Sequence, residues 1–334
     1  MAEKEEVIFL SFADKPASMK VGALQIEYLK KKYSNKDNPT RMNPLSRRFI
    51  HWTRWADVIH CHQIQTHGTD LAIILSRLFR RKIFVTDLGG GHKYSLSSYL
   101  PLLKYTNRFL LISDYSKQLW QGAPLNSRSK YLEVIYGGVD IAKFTPNNEN
   151  HRSKTALFVG RLMPHKGIDF LVDAIENPLS LDLVGRPYHD DYYKVLQSKS
   201  EGRQVAFHTD VGDAKLVKKY REALVTVLPS VYTNYYGTYT AVPELLGLVA
   251  LESLACGTPV ILTDVASLPE IVEDGVTGFL VPPNSPKAIR EKLLYLYNNP
   301  DAANEMGRRG REKVLQKFTW ELTVQRCLEA YKQN

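Results

Sequence analysis

Cysteine is scarce in this chain: three residues in 334, Cys61, Cys256 and Cys327, odd in number and far apart. That pattern excludes a disulfide scaffold and fits reduced thiols in a cytoplasmic protein. No apolar run approaches the roughly eighteen residues of a membrane-spanning helix. The opening MAEKEEVIFL has none of the marks of a signal peptide. Low-complexity tracts and short-period repeats are missing as well. An Asp-x-Asp pair occurs nowhere, which removes a common carboxylate arrangement for Mg²⁺. His60, His62 and His67 in HCHQIQTH resemble metal ligands, but no carboxylate or second cysteine completes a set. The expectation is therefore no metal and no cofactor.

What the chain does have is length, charge of uneven distribution, and alternation. Its 334 residues suffice for two domains of ordinary size. Residues 1–150 hold 22 Lys and Arg against 13 Asp and Glu, while residues 151–334 hold 22 of each. The excess positive charge of +9 lies wholly in the first half, which suggests an anionic partner there: a lipid surface, a phosphorylated acceptor or nucleic acid.

The organising stretch is Pro243–Pro259, PELLGLVALESLACGTP, where Glu244 and Glu252 stand with seven residues between them. Gly257 and Pro259 are the usual stop signals of a helix. The pattern predicts a helix over Leu248–Cys256, entered through a loop at Pro243–Gly247. Glu244 then precedes the helix and Glu252 lies about one turn inside it. Eight residues of helical rise span about 12 Å. The first helical amides, near Gly247, Leu248 and Val249, fall between the two carboxylates and form an anion site. Carboxylate, phosphate site and carboxylate in a row outline a nucleotide sugar. The bland alternative is a buried helix with Leu248, Leu251 and Ala255 facing a core, and the flanking sequence decides between them.

In order, Val7–Phe12 predicts a strand, Lys20–Tyr33 a helix and Ser34–Ser46 a loop. Arg47–Trp55, basic and aromatic, predicts a helix covering a sheet, with a membrane-interface element as its functional alternative. Strands at Asp57–Cys61, Lys82–Thr86, Arg108–Ser113 and Tyr131–Ile135 alternate with helices at Thr69–Phe79 and Asp114–Gln121. In the second half, strands at Thr155–Gly160, Leu181–Gly185, Gln204–His208, Leu224–Pro229, Pro259–Thr263 and Thr277–Val281 alternate with helices, and three helices end the chain. Such alternation argues for parallel βαβ units.

Several segments together resemble retaining glycosyltransferases of family 4, with the GT-B architecture. They are LFVGRLMPHKGIDFLVDAI at Leu157–Ile175, LPS at Leu228–Ser230 and ELLGLVALESLACGTPVILTDVASLPEIVEDGVTGFLVPP at Glu244–Pro283. Weaker likenesses are ADVIHCH, VTDLGGGH, LLISDYS and VIYGGVDIAKFTP. The resemblance implies that Arg161 and Lys166, after the strand ending at Gly160, hold a donor diphosphate. It implies that Glu252 accepts from ribose hydroxyls, that Glu244 contacts the donor hexose, and that Gly247–Val249 supply phosphate-binding amides. Val211, in the HTDV after a strand, would read the base through backbone. In DLGGGHKYS, either Asp87 or His92 could approach the reacting sugar. The opening glycine loop is altered to ADKPASMKVG, which leaves Gly22 in its place.

The expected fold is α/β, two Rossmann-like domains facing across a cleft. Residues 1–148 would form a basic acceptor domain, 149–316 the donor domain, and 317–334 a helix packing back toward the first. The expected reaction is retaining transfer of a hexosyl group from a nucleoside diphosphate sugar to a hydroxyl acceptor, anionic or membrane-borne, with domain closure excluding water. Such a protein would be cytoplasmic, with peripheral attachment to the inner membrane surface as an option. Rivals are a phosphorylase or epimerase on the same architecture, a nucleic-acid-binding protein, and a catalytically silent nucleotide-sugar sensor.

Overall fold

The computed structural model describes residues 6–13, 15–30, 46, 48–89, 96–121, 131–147 and 153–333. They fall into two compact units. The first comprises Met1–Ile112, Ser116–Ile135 and Val324–Asn334; the second comprises Ser113–Tyr115 and Tyr136–Thr323.

The first unit opens with β1 (Ile8–Ala13), β2 (Ala17–Val21) and β3 (Leu24–Lys30), a three-stranded sheet in the order β1-β3-β2. Here the helix expected over Lys20–Tyr33 is replaced by a hairpin. β2 and β3 pair antiparallel, Val21 opposite Leu24, around a tight turn at Gly22. Leu24, Tyr28 and Leu29 mimic helical spacing, but cross-strand bonding overrides it. Glu27 accepts from Ser18 Oγ at 2.5 Å and from Gln25 Nε2 at 2.7 Å. Those bonds hold its carboxyl below the usual range. The expected loop at Ser34–Ser46 lies almost wholly outside the described residues.

After α1 (Arg48–Trp55) come β4 (Val58–His62), α2 (His67–Phe79), β5 (Lys82–Asp87), β6 (Arg108–Leu111), α3 (Asp114–Gln121) and β7 (Leu132–Val134). The strands form a parallel sheet in the order β4-β5-β6-β7. α2 is capped by Thr66, whose hydroxyl accepts from Thr69 N at 3.1 Å. Ile73, Ile83, Val85, Phe109 and Leu111 make one core of this unit. The closing residues of the chain add Cys327, Ala330 and Tyr331 to Phe84, Leu110 and Ile135. His60 lies against Tyr331 there, its ring nitrogens 2.7 Å from Tyr331 Oη and 2.7 Å from Thr86 Oγ1.

The second unit contains β8 (Thr155–Val159), α4 (Ile168–Ala174), β9 (Ser180–Val184), α5 (Asp190–Lys199), β10 (Val205–His208), α6 (Asp213–Glu222), β11 (Val225–Leu228), α7 (Leu248–Ala255), β12 (Val260–Thr263), β13 (Gly278–Val281), α8 (Pro286–Asn298) and α9 (Pro300–Lys317). A last helix, α10, spans Trp320–Lys332. The sheet is parallel throughout, in the order β10-β9-β8-β11-β12-β13. The order reverses direction at β8, and in open α/β sheets ligands bind beyond the strand ends at such a switch point. Its strands read as apolar runs because both faces are covered. Phe158, Leu171, Leu183, Val227, Ile261 and Leu293 are among the buried residues of its core. Burying each such side chain contributes about 1.5–3 kcal/mol.

Candidate functional site

β8 and β9 both end toward one edge of the sheet, and the chain leaves β8 through Gly160, whose N–H donates to Val184 O at 2.9 Å. Arg161 follows, exposed, its guanidinium 5.5 Å from the centre of the Tyr188 ring. A single 3₁₀ turn over Pro164–Lys166 then leads into α4. That turn is pinned to the end of β11, since Val231 N donates to His165 O at 2.9 Å.

The turn aims Lys166 at the organising stretch. Lys166 Nζ lies 2.5 Å from Glu244 Oε1 and donates to Pro243 O at 3.2 Å. Ser230 Oγ donates to the same Glu244 oxygen at 3.0 Å. The two side chains are only 15% and 13% exposed, so their charges are screened less than on an open surface. Two residues 78 positions apart thus meet through the switch-point topology. His165 beside them is pushed down to about 4 by burial, and the charges of Lys166 and Arg161 act in the same direction. Arg161, Lys166 and Glu244 therefore share one electrostatic neighbourhood.

Glu244 is followed by Gly247, the residue before α7, at φ +80°. A Cβ at Gly247 would stand 2.8 Å from Leu268 Cδ2 and 3.0 Å from Ile271 Cδ1. Only glycine satisfies both the left-handed backbone and the space, and so α7 begins where it does. Leu248 is exposed and Val249 half-buried at its first turn. Glu252, one turn in, accepts from Tyr220 Oη at 2.7 Å. Burial pushes its carboxyl above the usual range, against the Tyr220 hydrogen bond and the charge of Lys143, which favour ionisation. Lys143 itself pairs with Asp213 at 2.7 Å.

The remaining sequence candidates are dispersed. Val211 is half-buried between β10 and α6. Gly160, at φ +148°, occupies the strand end as expected. Gly22 sits in the β2–β3 hairpin turn, with nothing within 4 Å of the place a Cβ would take. It is a turn residue, and the first strand is followed by β2 where a glycine loop was expected. Asp87, at the end of β5, accepts from Trp120 Nε1 at 3.1 Å and from Gly89 N at 2.9 Å. His92 lies outside the described residues. Among the described residues no group of three or more His, Cys, Asp or Glu is placed to hold a metal ion. No helix among them is long and apolar enough to cross a membrane. The three thiols are all pushed up by burial, Cys61 and Cys256 to about 12 and Cys327 to about 11.

Three participants carried no role in the sequence reading: Ser230, His165 and Tyr220. Ser230 stands in the LPS segment, and a polar residue at the end of a buried strand is a signal that could have found it. Tyr220 gives no such sign, because its partner is 32 positions away.

Against known proteins, a sequence profile described as "Glycosyl transferases group 1" matches residues 140–313, just over half of the chain. An uncharacterized glycosyltransferase of Methanocaldococcus jannaschii is 29% identical over 303 residues, covering 83% of this chain and 75% of that protein. Alpha-maltose-1-phosphate synthase of Mycobacterium tuberculosis is 31% identical over 276 residues, 74% and 68% of the two chains. Among solved structures, sucrose-phosphate synthase from Thermosynechococcus elongatus superposes with a TM-score of 0.73 at 21% identity, over 98% of this chain and 88% of that one. Anabaena HepE, solved in complex with UDP and glucose, gives 0.75 at 18% identity, over 98% and 99%. The architecture is the GT-B fold of two Rossmann-like domains.

Proposed function

This chain belongs to the glycosyl transferases group 1 family, and from that premise we propose that it moves a hexosyl group from a nucleoside diphosphate sugar to an acceptor hydroxyl, with retention at the anomeric carbon. The observation that carries the reading is the Lys166–Glu244 pair, 2.5 Å apart beside the start of α7. In this reading the cation serves the phosphate and the carboxylate serves the sugar hydroxyls.

In the proposed complex the diphosphate lies between Arg161, Lys166 and the first amides of α7 at Gly247, Leu248 and Val249. Glu244 accepts from hydroxyls of the hexose, and Glu252, held by Tyr220, accepts from the ribose. Backbone near Val211 meets the base. The acceptor oxygen bonds to the anomeric carbon as the bond to the diphosphate oxygen breaks. The hydroxyl proton passes to that departing phosphate on the same face, so the configuration is retained. Two fixed cations and a helix terminus stabilise the charge that develops on the leaving group. Metal takes no part in this scheme, and activity in excess EDTA checks that point; strict dependence on Mg²⁺ would exclude it.

HepE has been solved in complex with UDP-glucose, which makes uridine diphosphate the first nucleotide to test. The deciding experiment is thermal stability against UDP, GDP and ADP, their glucose and mannose conjugates, and NAD as control. A ligand that binds only the folded chain raises its melting temperature by mass action. One diphosphate series should stabilise the protein, and Arg161→Ala should abolish the shift. No shift with any nucleotide would overturn the donor assignment.

A further inference from the structure

Between Ser230 and Pro243 the chain makes a hairpin, VYTNYYGTYTAV, whose two feet stand on the candidate site. Ser230, before it, bonds Glu244; Pro243, after it, accepts from Lys166. The hairpin is tightly built. Asn234 N donates to Thr238 O at 3.0 Å and Thr240 N to Tyr232 O at 2.7 Å. The Asn234 carboxamide oxygen accepts from Tyr236 N and Thr238 N, at 2.9 and 3.1 Å. Neighbouring elements of the same unit fix it from outside. Asn284 Nδ2 donates to Thr233 O at 3.1 Å, and Tyr115 Oη donates to Ala241 O at 3.0 Å.

On this rigid frame three tyrosines face outward: Tyr235, Tyr236 and Tyr239, 48%, 51% and 66% exposed. Tyr239 lies parallel to Tyr232, their centres 6.1 Å apart, and Tyr236 meets the buried Tyr192 edge-on at 6.3 Å. A fold gains nothing by holding three large rings in water, and a fixed backbone means little order remains to be lost on binding. A tyrosine offers a flat apolar face with a hydroxyl at one end. That combination suits a pyranose, which has a face of C–H groups and a rim of hydroxyls, better than a lipid chain or a charged polymer. Both feet of the hairpin touch the Lys166–Glu244 pair, which ties the tyrosine-bearing loop to the candidate site.

We propose that this hairpin is a carbohydrate-binding platform, and that the acceptor is a glycan whose sugar rings stack on Tyr235, Tyr236 and Tyr239. The assignment rests on the transferase reading above and narrows its acceptor to a saccharide of more than one ring. Each stacked ring contributes about two- to tenfold in affinity.

The test uses the full chain, wild type and the triple variant Tyr235→Ala/Tyr236→Ala/Tyr239→Ala, on an array of short neutral glucans, mannans and galactans. Thermal stabilisation by UDP, GDP and ADP is measured in parallel. The wild type is expected to be retained by a defined subset of glycans. The triple variant should lose at least about tenfold of that retention while its nucleotide response is unchanged, and the triple Phe variant should keep most of it. Absence of glycan retention by a wild type that responds to a nucleotide would overturn the platform and leave the transferase standing. Equal retention by the Ala variant would overturn it as well. Glycan retention without any nucleotide response would uphold the platform and remove the donor assignment.

Discussion

The two units of this molecule carry their candidate groups in opposite ways. In the second, Lys166 from the β8–α4 loop and Ser230 and Glu244 from the β11–α7 loop converge at the carboxyl edge of one parallel sheet. In the first, Asp87 has both oxygens taken by Trp120 and Gly89, and Gly22 sits in a hairpin turn. The profile match follows the same division, since residues 140–313 lie within the second unit. A nucleotide sugar demands fixed geometry for phosphate and ribose, whatever the acceptor. On the reading proposed above, the loops of the second unit serve that constant task, and its tyrosine hairpin is where the acceptor would enter.

The strongest way to break this comparison is to remove a charge from each unit. Lys166→Ala should lower turnover at saturating substrate by on the order of a hundredfold or more, the usual cost of a lost charge-stabilising group. It also leaves the partly buried Glu244 without its cationic partner, with Ser230 still donating to it, which costs about 1–3 kcal/mol of stability. Asp87→Asn, which preserves the acceptor for Trp120, should cost far less turnover. Equal losses in the two variants would erase the distinction.

A second test compares two glycines. Gly247→Ala forces a left-handed alanine against Leu268 and Ile271, and should destabilise the second unit by about 2–4 kcal/mol. Gly22→Ala meets open space and pays for the backbone alone, about 1 kcal/mol. Peptide-resolved hydrogen exchange of the two variants measures each cost in its own unit. A Gly22 variant as damaged as the Gly247 variant would mean that the hairpin turn carries more than its shape.

How much was legible follows the same line. Over Leu248–Ala255 the helix stands where Gly247, Gly257 and Pro259 demanded, because those signals are local. The strands β8 to β13 are short apolar runs bounded by breakers, which a buried parallel sheet requires. Lys166 and Glu244 were each nameable, yet their contact was not, since it depends on the crossover that brings β8 and β11 together. The first unit misled at Lys20–Tyr33. Leu24, Tyr28 and Leu29 have helical spacing, and only the antiparallel pairing of β2 with β3, Ser18 opposite Glu27, reveals a hairpin. Pairing partners are nonlocal, and a periodicity argument does not see them.

The smallest effect is a difference in response to acid. In the first unit His60 is half-buried between Tyr331 and Thr86, and desolvation there lowers its pKa to about 3. The unfolded chain takes up that proton near the ordinary 6.5, so the stability it confers is complete above that value. As pH falls from there toward about 3, the first unit should lose about 1.4 kcal/mol per pH unit from this group. Glu252 in the second unit is shifted the other way, above 4.5, again chiefly by burial. The folded state then binds the proton more tightly than the unfolded one. Its contribution to stability is greatest at low pH and declines as pH rises through the raised value. Hydrogen exchange followed between pH 6.5 and 5 should therefore show protection falling in peptides of β4 and β5 before those of α7. His60→Gln should flatten the first slope and leave the second alone. If protection around α7 fell first, or if the slope survived His60→Gln, His60 would not be the group that sets the acid sensitivity of the first unit.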